Sequence, residues 1–279
     1  MDTIAIAGVG LIGGSFALAL QKAGFQGKIL GVSSPATIEA ALKAGVIHAG
    51  VTLEQACAEA DLFYLAQPIR PILRTIDAIA DMIRPECLVT DAGSTKGEIV
   101  TFASRRLTRC QFLGGHPLAG KTSRGVAVAD ADLFQGRPYV LTPSNKFDLE
   151  TPAAVHLVFW LEKIGAVPMV LTPEEHDRTV ALTSHLPQLA SSALAATLAA
   201  KLDSEKQLRV SGPGLSDTTR LAQSSIEIWE DILATNATEI GQALDAYIDK
   251  LRFFRQNLTN PRLRAEFEVA AELARKCRR

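Results

Sequence analysis

The chain has 279 residues, 47% of them hydrophobic, and its 29 basic and 30 acidic side chains leave a net charge of −1. That is enough chain for about two globular domains, and the balanced charge excludes a nucleic-acid partner, because phosphate backbones are held by clustered Lys and Arg. The four cysteines, Cys57, Cys87, Cys110 and Cys277, have no CxxC spacing, which excludes a zinc site or a disulfide framework and points to the reducing cytoplasm.

After Met1 come acidic Asp2 and an apolar run, without the basic region and cleavage site of a signal peptide. Residues 3–7, 28–32, 62–66, 87–90, 111–113, 139–141 and 167–171 read as short strands. Several are apolar on both faces, as in a parallel sheet covered by helices. Helical patterns alternate with the early strands at 12–23, 36–44 and 69–83, and another follows at 149–164. This order predicts an α/β fold with a doubly wound, mainly parallel sheet. After "LTPEEH" (171–176) the strand pattern stops, and helical stretches follow at 174–183, 187–202, 206–210, 217–222, 225–235, 237–259 and 261–276. We therefore divide the chain into a dinucleotide-binding domain, 1–173, and an all-helical domain, 174–279. The apolar run 186–200 contains Pro187, Gln188 and several hydroxyls. It falls short of the roughly 20 apolar residues that a bilayer requires, so it reads as a buried helix and no membrane partner is expected. The basic end, Arg275, Lys276, Arg278 and Arg279, reads as a solvated last helical turn. The small-residue-rich helical domain is expected to form the seam of a homodimer.

"IAIAGVGLIGGS" (4–15) sets a GxGxxG between a strand and a helix. Gly8 suits the tight turn, Gly10 lets a pyrophosphate approach the backbone, and Gly13 lets the helix lie against the strand. The helix start at Leu11 and Ile12 offers free amides to phosphate. A cofactor of the NAD or NADP type is expected. An acidic residue that binds the ribose of NAD belongs near the end of the second strand. Ser33 stands there instead, and Ser33, Ser34 and Thr37 offer hydroxyls, which favours NADP. Pro68 and Ser94 complete the expected cofactor set.

"DAGSTKGE" (91–98) leaves a strand at its carboxyl end, where such sheets bind ligands, and this singles out Ser94. Thr95 and Glu98 also have the spacing of a helix capping box. "FLGGHPLAG" (112–120) leaves the next strand as a non-helical turn carrying His116, with glycines that clear space around the imidazole. "TSHLPQ" (183–188) supplies His185. "GPGLSDTTRLA" (212–222) supplies Asp217 and Arg220, spaced as an ion pair or as a ligand-facing arginine. Trp229 reads by itself as core, and no metal-ligand cluster is present.

Taken in order, these segments resemble the prephenate/arogenate (cyclohexadienyl) dehydrogenases of tyrosine biosynthesis. The matching motifs are GxGxxG at 8–13, S-x-K at 94–96, GGHPxAG at 114–120, SHLP at 184–187, D-x-T-R at 217–220 and W-x-D-I-x-x-x-N at 229–236. The resemblance implies a Rossmann-type domain followed by a helical dimerisation domain. It also implies NAD(P)-dependent oxidative decarboxylation of a cyclohexadienyl acid. It makes His116 the acceptor of the ring-hydroxyl proton and Ser94 the residue that orients His116 and the nicotinamide. His185 would line the substrate site, and Arg220 would hold a substrate carboxylate with Asp217 and Thr122 nearby. Two positions depart from the family pattern: Thr122, where many members have an acid, and Ser216, where many have lysine. Lys121 or Arg124 is the candidate replacement for the missing cation. Prephenate is slightly favoured over arogenate, because Thr122 removes an acidic partner for an ammonium. Two alternatives stay open, a dehydrogenase of the β-hydroxyacid or imine-reducing type and a nicotinamide-binding sensor without turnover.

Overall fold

The computed structural model describes residues 1–121 and 123–277. Thr122, Arg278 and Arg279, named above, lie outside the described residues. The strands are β1 (Thr3–Ala7), β2 (Lys28–Val32), β3 (Ala49–Gly50), β4 (Leu62–Leu65), β5 (Leu88–Asp91), β6 (Gln111–Pro117), β7 (Pro138–Thr142) and β8 (Val167–Val170). Among the described residues they form one sheet in the order β3-β2-β1-β4-β5-β6-β7-β8. Pairing is parallel from β3 to β6, antiparallel between β6 and β7, and parallel again between β7 and β8. Strand order reverses between β1 and β4, and that switch point opens a crevice at the carboxyl ends.

The central strands are buried on both faces, which explains their continuous apolar runs. Within β1, Ile4 and Ile6 join one core layer, and Ala5 and Ala7 join the other. The first layer packs α1 (Leu11–Lys22) and α6 (Pro152–Lys163) on the sheet. The second packs α3 (Leu53–Glu59), α4 (Ile69–Ile79) and α5 (Gly97–Arg106). Helix α4 buries Ile69, Ile72, Ile76 and Ile79, an i, i+3, i+7, i+10 stripe in which each side chain contributes about 1.5–3 kcal/mol. On the β2 side, α2 (Pro35–Lys43) starts at the N-cap Ser34, with Pro35 in its first turn.

The helical part begins with α7 (Pro173–Val180). Its N-cap Thr172 forms a capping box with Glu175, and this accounts for the change of pattern at "LTPEEH". A π-helical segment, Ala181–His185, follows and runs into α8 (Leu186–Ala199). Pro187 has no N–H for a regular turn, and the wider segment absorbs the mismatch. Then come α9 (Glu205–Leu208), α10 (Pro213–Thr219), a 3-10 turn (Arg220–Gln223), α11 (Ile226–Thr235), α12 (Ala237–Gln256) and α13 (Leu263–Lys276). Ala181, Ile232, Ile240 and Ala243 of this part enter the core layer of α4 and α5. No helix among the described residues is long and apolar enough to cross a membrane.

The structure corrects three local expectations. The GGHP segment is strand and not a turn: β6 pairs with β5 only as far as Leu113, then pairs Gly114–Pro117 with β7. Thr95 and Glu98 form no capping box. Helix α5 has no side-chain cap from its own strand end, and Thr95 Oγ1 lies 2.7 Å from Thr235 Oγ1. The stretch 217–222 is split between α10 and the 3-10 turn, so it is not one helix. The two-residue β3 was too short to leave a periodic signal.

Candidate active site

The glycine loop has the shape of a phosphate cradle. Gly8 has φ +91°, and a Cβ there would lie 2.6 Å from the carbonyl oxygen of Ala66. A Cβ at Gly13 would meet the Gly8 carbonyl oxygen, so α1 and β1 lie close only because it is absent. A Cβ at Gly10 would meet nothing within 4 Å, so that side of the backbone is open. Gly10 N-caps α1 without a side-chain bond, and Leu11, Ile12 and Gly13 have first-turn amides. This open, amide-lined turn fits the pyrophosphate of a dinucleotide. Exposed Ser33 follows β2. The Ser34 and Thr37 hydroxyls lie 2.9 Å apart, and Ser34 also accepts the Thr37 amide. Pro68, at the N-cap of α4, lines a cleft of about 200 Å³ with Gly93, Ser94, Arg124 and Asp231.

A second cleft, about 500 Å³, lies beside the first and shares Ser94, Ile228 and Ile232 with it. His116, His185, Thr183 and Trp229 line it. Three residues expected to act together, Ser94, His116 and His185, are thus brought to one cavity. Trp229 stands edge-on to the His185 ring at 5.8 Å, so it lines the site and is not simply core. No hydrogen bond joins Ser94 to His116 among the described residues. The orienting partner of His116 is a residue that sequence reasoning missed, His176 of α7, whose Nε2 lies 2.8 Å from His116 Nδ1. His176 Nδ1 in turn lies 2.7 Å from Asp177 Oδ1.

This chain determines where the protons lie. A carboxylate accepts, so His176 Nδ1–H donates to Asp177 and leaves Nε2 as an acceptor. His116 Nδ1–H must then donate to His176, and Nε2 of His116 carries the lone pair. Desolvation, with His176, Lys96 and His185 alongside, holds the His116 imidazole well below the usual histidine range. His185 has the opposite polarity. Its Nδ1 faces the Asn236 amide Nδ2 at 3.3 Å and accepts from it, which puts the ring proton on Nε2. Burial lowers its pKa to about 4, against the opposing pull of Asp177. The cavity thus holds one imidazole that accepts and one that donates.

Asp177 has a second task. Its Oδ1 accepts the Lys96 amide at 2.7 Å and its Oδ2 accepts the Gly97 amide at 2.8 Å, capping α5 from the helical part of the chain. Asp231 of α11 does the same for α4, accepting the Arg70 amide at 3.0 Å. The glycines beside His116 also have a different reason from the one expected. A Cβ at Gly114 would lie 2.9 Å from the Val100 side chain, and one at Gly115 would lie 2.6 Å from the Asp91 carbonyl oxygen. They make room for neighbouring protein atoms and not for a ligand.

Arg220 lies outside the His116 cavity. It lines an adjoining cleft of about 600 Å³ with Lys121, Arg124 and Ile228, and Ile228 is common to both cavities. Among the described residues Arg220 has no ion-pair partner, Lys121 pairs with Asp130 at 2.9 Å, and Arg124 reaches Glu227 at 4.0 Å. Asp217 is exposed on α10, lines none of these clefts and is not paired with Arg220. The 3-10 turn of Arg220 is docked on α8. Gln188 Nε2 donates to the Leu221 carbonyl at 2.8 Å, and the Ala222 amide donates to Ser191 Oγ at 3.2 Å.

The family described as "Prephenate dehydrogenase, nucleotide-binding domain" matches residues 16–170, and "Prephenate dehydrogenase, dimerization domain" matches residues 172–269. The prephenate dehydrogenase of Bacillus subtilis is 36% identical over 97% of this chain and 75% of that protein. A structure of Aquifex aeolicus prephenate dehydrogenase with hydroxyphenyl propionate and NAD+ superimposes with a TM-score of 0.89, at 30% identity, over 99% of this chain and 97% of the other. Synechocystis arogenate dehydrogenase gives 0.83 at 30% identity, over 98% and 99%. With its nucleotide-binding sheet, its helical second part and the histidine cavity between them, the chain belongs to the prephenate dehydrogenase family.

Proposed function

We propose that the protein is an NAD(P)-dependent dehydrogenase that oxidatively decarboxylates prephenate or arogenate, with His116 as the proton acceptor. The observation that carries this is the Asp177–His176–His116 chain, which leaves the Nε2 lone pair of His116, a residue lining the cavity, without a protein partner among the described residues. The open glycine cradle at Gly8, Gly10 and Gly13, with Leu11, Ile12, Ser33, Pro68 and Ser94, would hold the dinucleotide. When bound, the oxidised nicotinamide supplies the hydride acceptor.

The residues of the chain account for the remaining steps. His116 Nε2 takes the ring-hydroxyl proton as hydride leaves the same carbon, and the carbinol becomes a ring ketone. The bond to the ring carboxylate then breaks and CO₂ departs. Its electron pair enters the ring and aromatises it, leaving the negative charge on the former ketone oxygen. The imidazolium of His116 returns its proton there, so a neutral phenol forms and the base is regenerated. His185 Nε2–H donates to the substrate. Arg220, beside Lys121 and Arg124, holds a substrate carboxylate, a role that suits a planar, permanently charged fork.

Two finer points belong to the same proposal. NADP is favoured over NAD because Ser33 places no carboxylate against a 2′-phosphate, and prephenate is favoured over arogenate. We also divide the protein at residue 173 and assign 174–279 as the surface of a homodimer. Leu258, Phe267, Val269 and Leu273, large apolar groups left exposed in this part, support this, since such groups mark interaction surfaces. The deciding experiment is absorbance at 340 nm with prephenate or arogenate and NAD+ or NADP+. Substrate-dependent reduction is expected, fastest with prephenate and NADP+. Its absence in all four combinations overturns the assignment.

A further inference from the structure

The mechanism above leaves one buried charged pair without a task. Lys96 and Asp91 are both 0% exposed and form an ion pair beside the cavity. Such pairs are weak sources of stability, because desolvation offsets their attraction. Their contacts point to a different role. Strand β5 ends at Asp91, and its ladder with β6 ends at Leu113. Beyond that point Gly115 has no strand partner on the β5 side. The ion pair takes the place of the missing strand: the Gly115 amide donates to Asp91 Oδ1 at 3.0 Å, and Lys96 Nζ donates to the Gly115 carbonyl at 2.7 Å. Asp91 is itself fixed by the Gly93 amide, which donates to Oδ2 at 2.8 Å. The Gly115 carbonyl belongs to the peptide bond that leads into His116. The backbone amide of Lys96 meanwhile holds Asp177 Oδ1, the same oxygen that holds His176.

We propose that Lys96, paired with Asp91, is the positioning residue of the reaction, fixing His116 from both sides. Its ammonium holds the main chain of His116 through Gly115, and its amide holds the imidazole through Asp177 and His176. An ion pair suits this place better than a continued strand. It satisfies both the amide and the carbonyl of Gly115 where the β5–β6 ladder has ended. The titratable and charged groups around His116 are Asp91 at the end of β5, Lys96 ahead of α5, His176 and Asp177 from α7, and His185 from the π segment. The Lys96 charge is one of the causes that keep the imidazole free of a second proton.

The role assigned to Lys96 rests on His116 as the acceptor, and its test separates the two. Lys96→Met removes the ammonium and Asp91→Asn removes the carboxylate. Each is expected to lower kcat at least tenfold with the cofactor KM unchanged. The acid limb of the kcat/KM profile is expected to move up in Lys96→Met and down in Asp91→Asn, because opposite charges beside the base are lost. A merely structural pair would move both the same way or neither, and that result overturns the proposal. Asp91→Asn, close in shape to aspartate, carries the test if Lys96→Met does not fold. A second readout needs no substrate. The ¹⁵N resonances of His116 are expected to show Nδ1–H and a bare Nε2 in the unaltered protein and a mixture of tautomers in either variant. Unchanged resonances in both variants overturn the proposal even if no dehydrogenase activity is found.

Discussion

His116 and Arg220 sit in adjoining clefts, and their substitution should separate chemistry from binding. General-base transfer contributes about 10²–10⁴-fold. His116→Asn is therefore expected to lower kcat by that order with little change in substrate KM, as read from steady-state kinetics, and near-normal turnover would remove His116 from the mechanism. A charge-assisted hydrogen bond is worth about 1.5–3 kcal/mol. Arg220→Ala is accordingly expected to raise substrate KM by about tenfold to a hundredfold, with kcat changed much less. A change confined to cofactor KM would show that Arg220 does not hold the substrate. The two imidazoles that line the cavity differ through their partners. His116 donates through Nδ1 and is left with an acceptor, and His185 accepts through Nδ1 and is left with a donor.

At the scale of elements, the glycine loop allows a contrast between two substitutions of the same chemistry. Gly13→Ala drives a Cβ into the Gly8 carbonyl, and overpacking of this kind costs about 1–3 kcal/mol. Gly10→Ala meets open space in the protein but occupies the approach of a pyrophosphate. Thermal unfolding is expected to show a lowered Tm for Gly13→Ala and an unchanged one for Gly10→Ala. Adding NAD(P)+ should raise Tm in the unaltered protein and fail to do so in Gly10→Ala. Helices α4 and α5 illustrate a second device. Both have N-termini at the crevice, and both are capped by carboxylates from the helical part, Asp231 and Asp177. The caps that stabilise the two helices therefore also join the two halves around the site.

At the scale of the whole molecule, the histidines make stability depend on pH. His116 and His185 have folded pKa values below 6.5, so the unfolded chain binds more protons at mildly acidic pH. Stability from these groups is complete above about pH 6.5 and is lost as pH falls toward the folded values, about 4 for His185. Each group contributes up to about 1.4 kcal/mol per pH unit within its window. Tm measured from pH 7 to pH 4.5 is expected to fall, and to fall less steeply in His185→Gln. Equal slopes would contradict the buried, neutral His185. Assembly is the second property at this scale. Sedimentation velocity at micromolar concentration is expected to give a dimer, and the pair Phe267→Glu and Leu273→Glu a monomer. A monomeric unaltered protein would overturn the dimer.

Much of this molecule could be read before its structure. Seven of the eight strands, the dinucleotide loop and the change to helices near residue 173 follow from local periodicity and turn chemistry, which neighbouring residues determine among themselves. So do His116, His185, Ser94 and Arg220 as residues of interest, because each stands in a short motif. Their partners could not be read. His176 and Asp177 look like ordinary members of an amphipathic helix, and Lys96 looks like a helix-start residue beside a capping box that does not form. Their roles come from contacts across 19 to 81 positions of chain, which no local pattern encodes. The sequence alone therefore determined which residues and which cofactor chemistry to look for. The tertiary structure decided which nitrogen of His116 is left as an acceptor, because only long-range packing brings the carboxylate, the second imidazole and the buried ion pair to it.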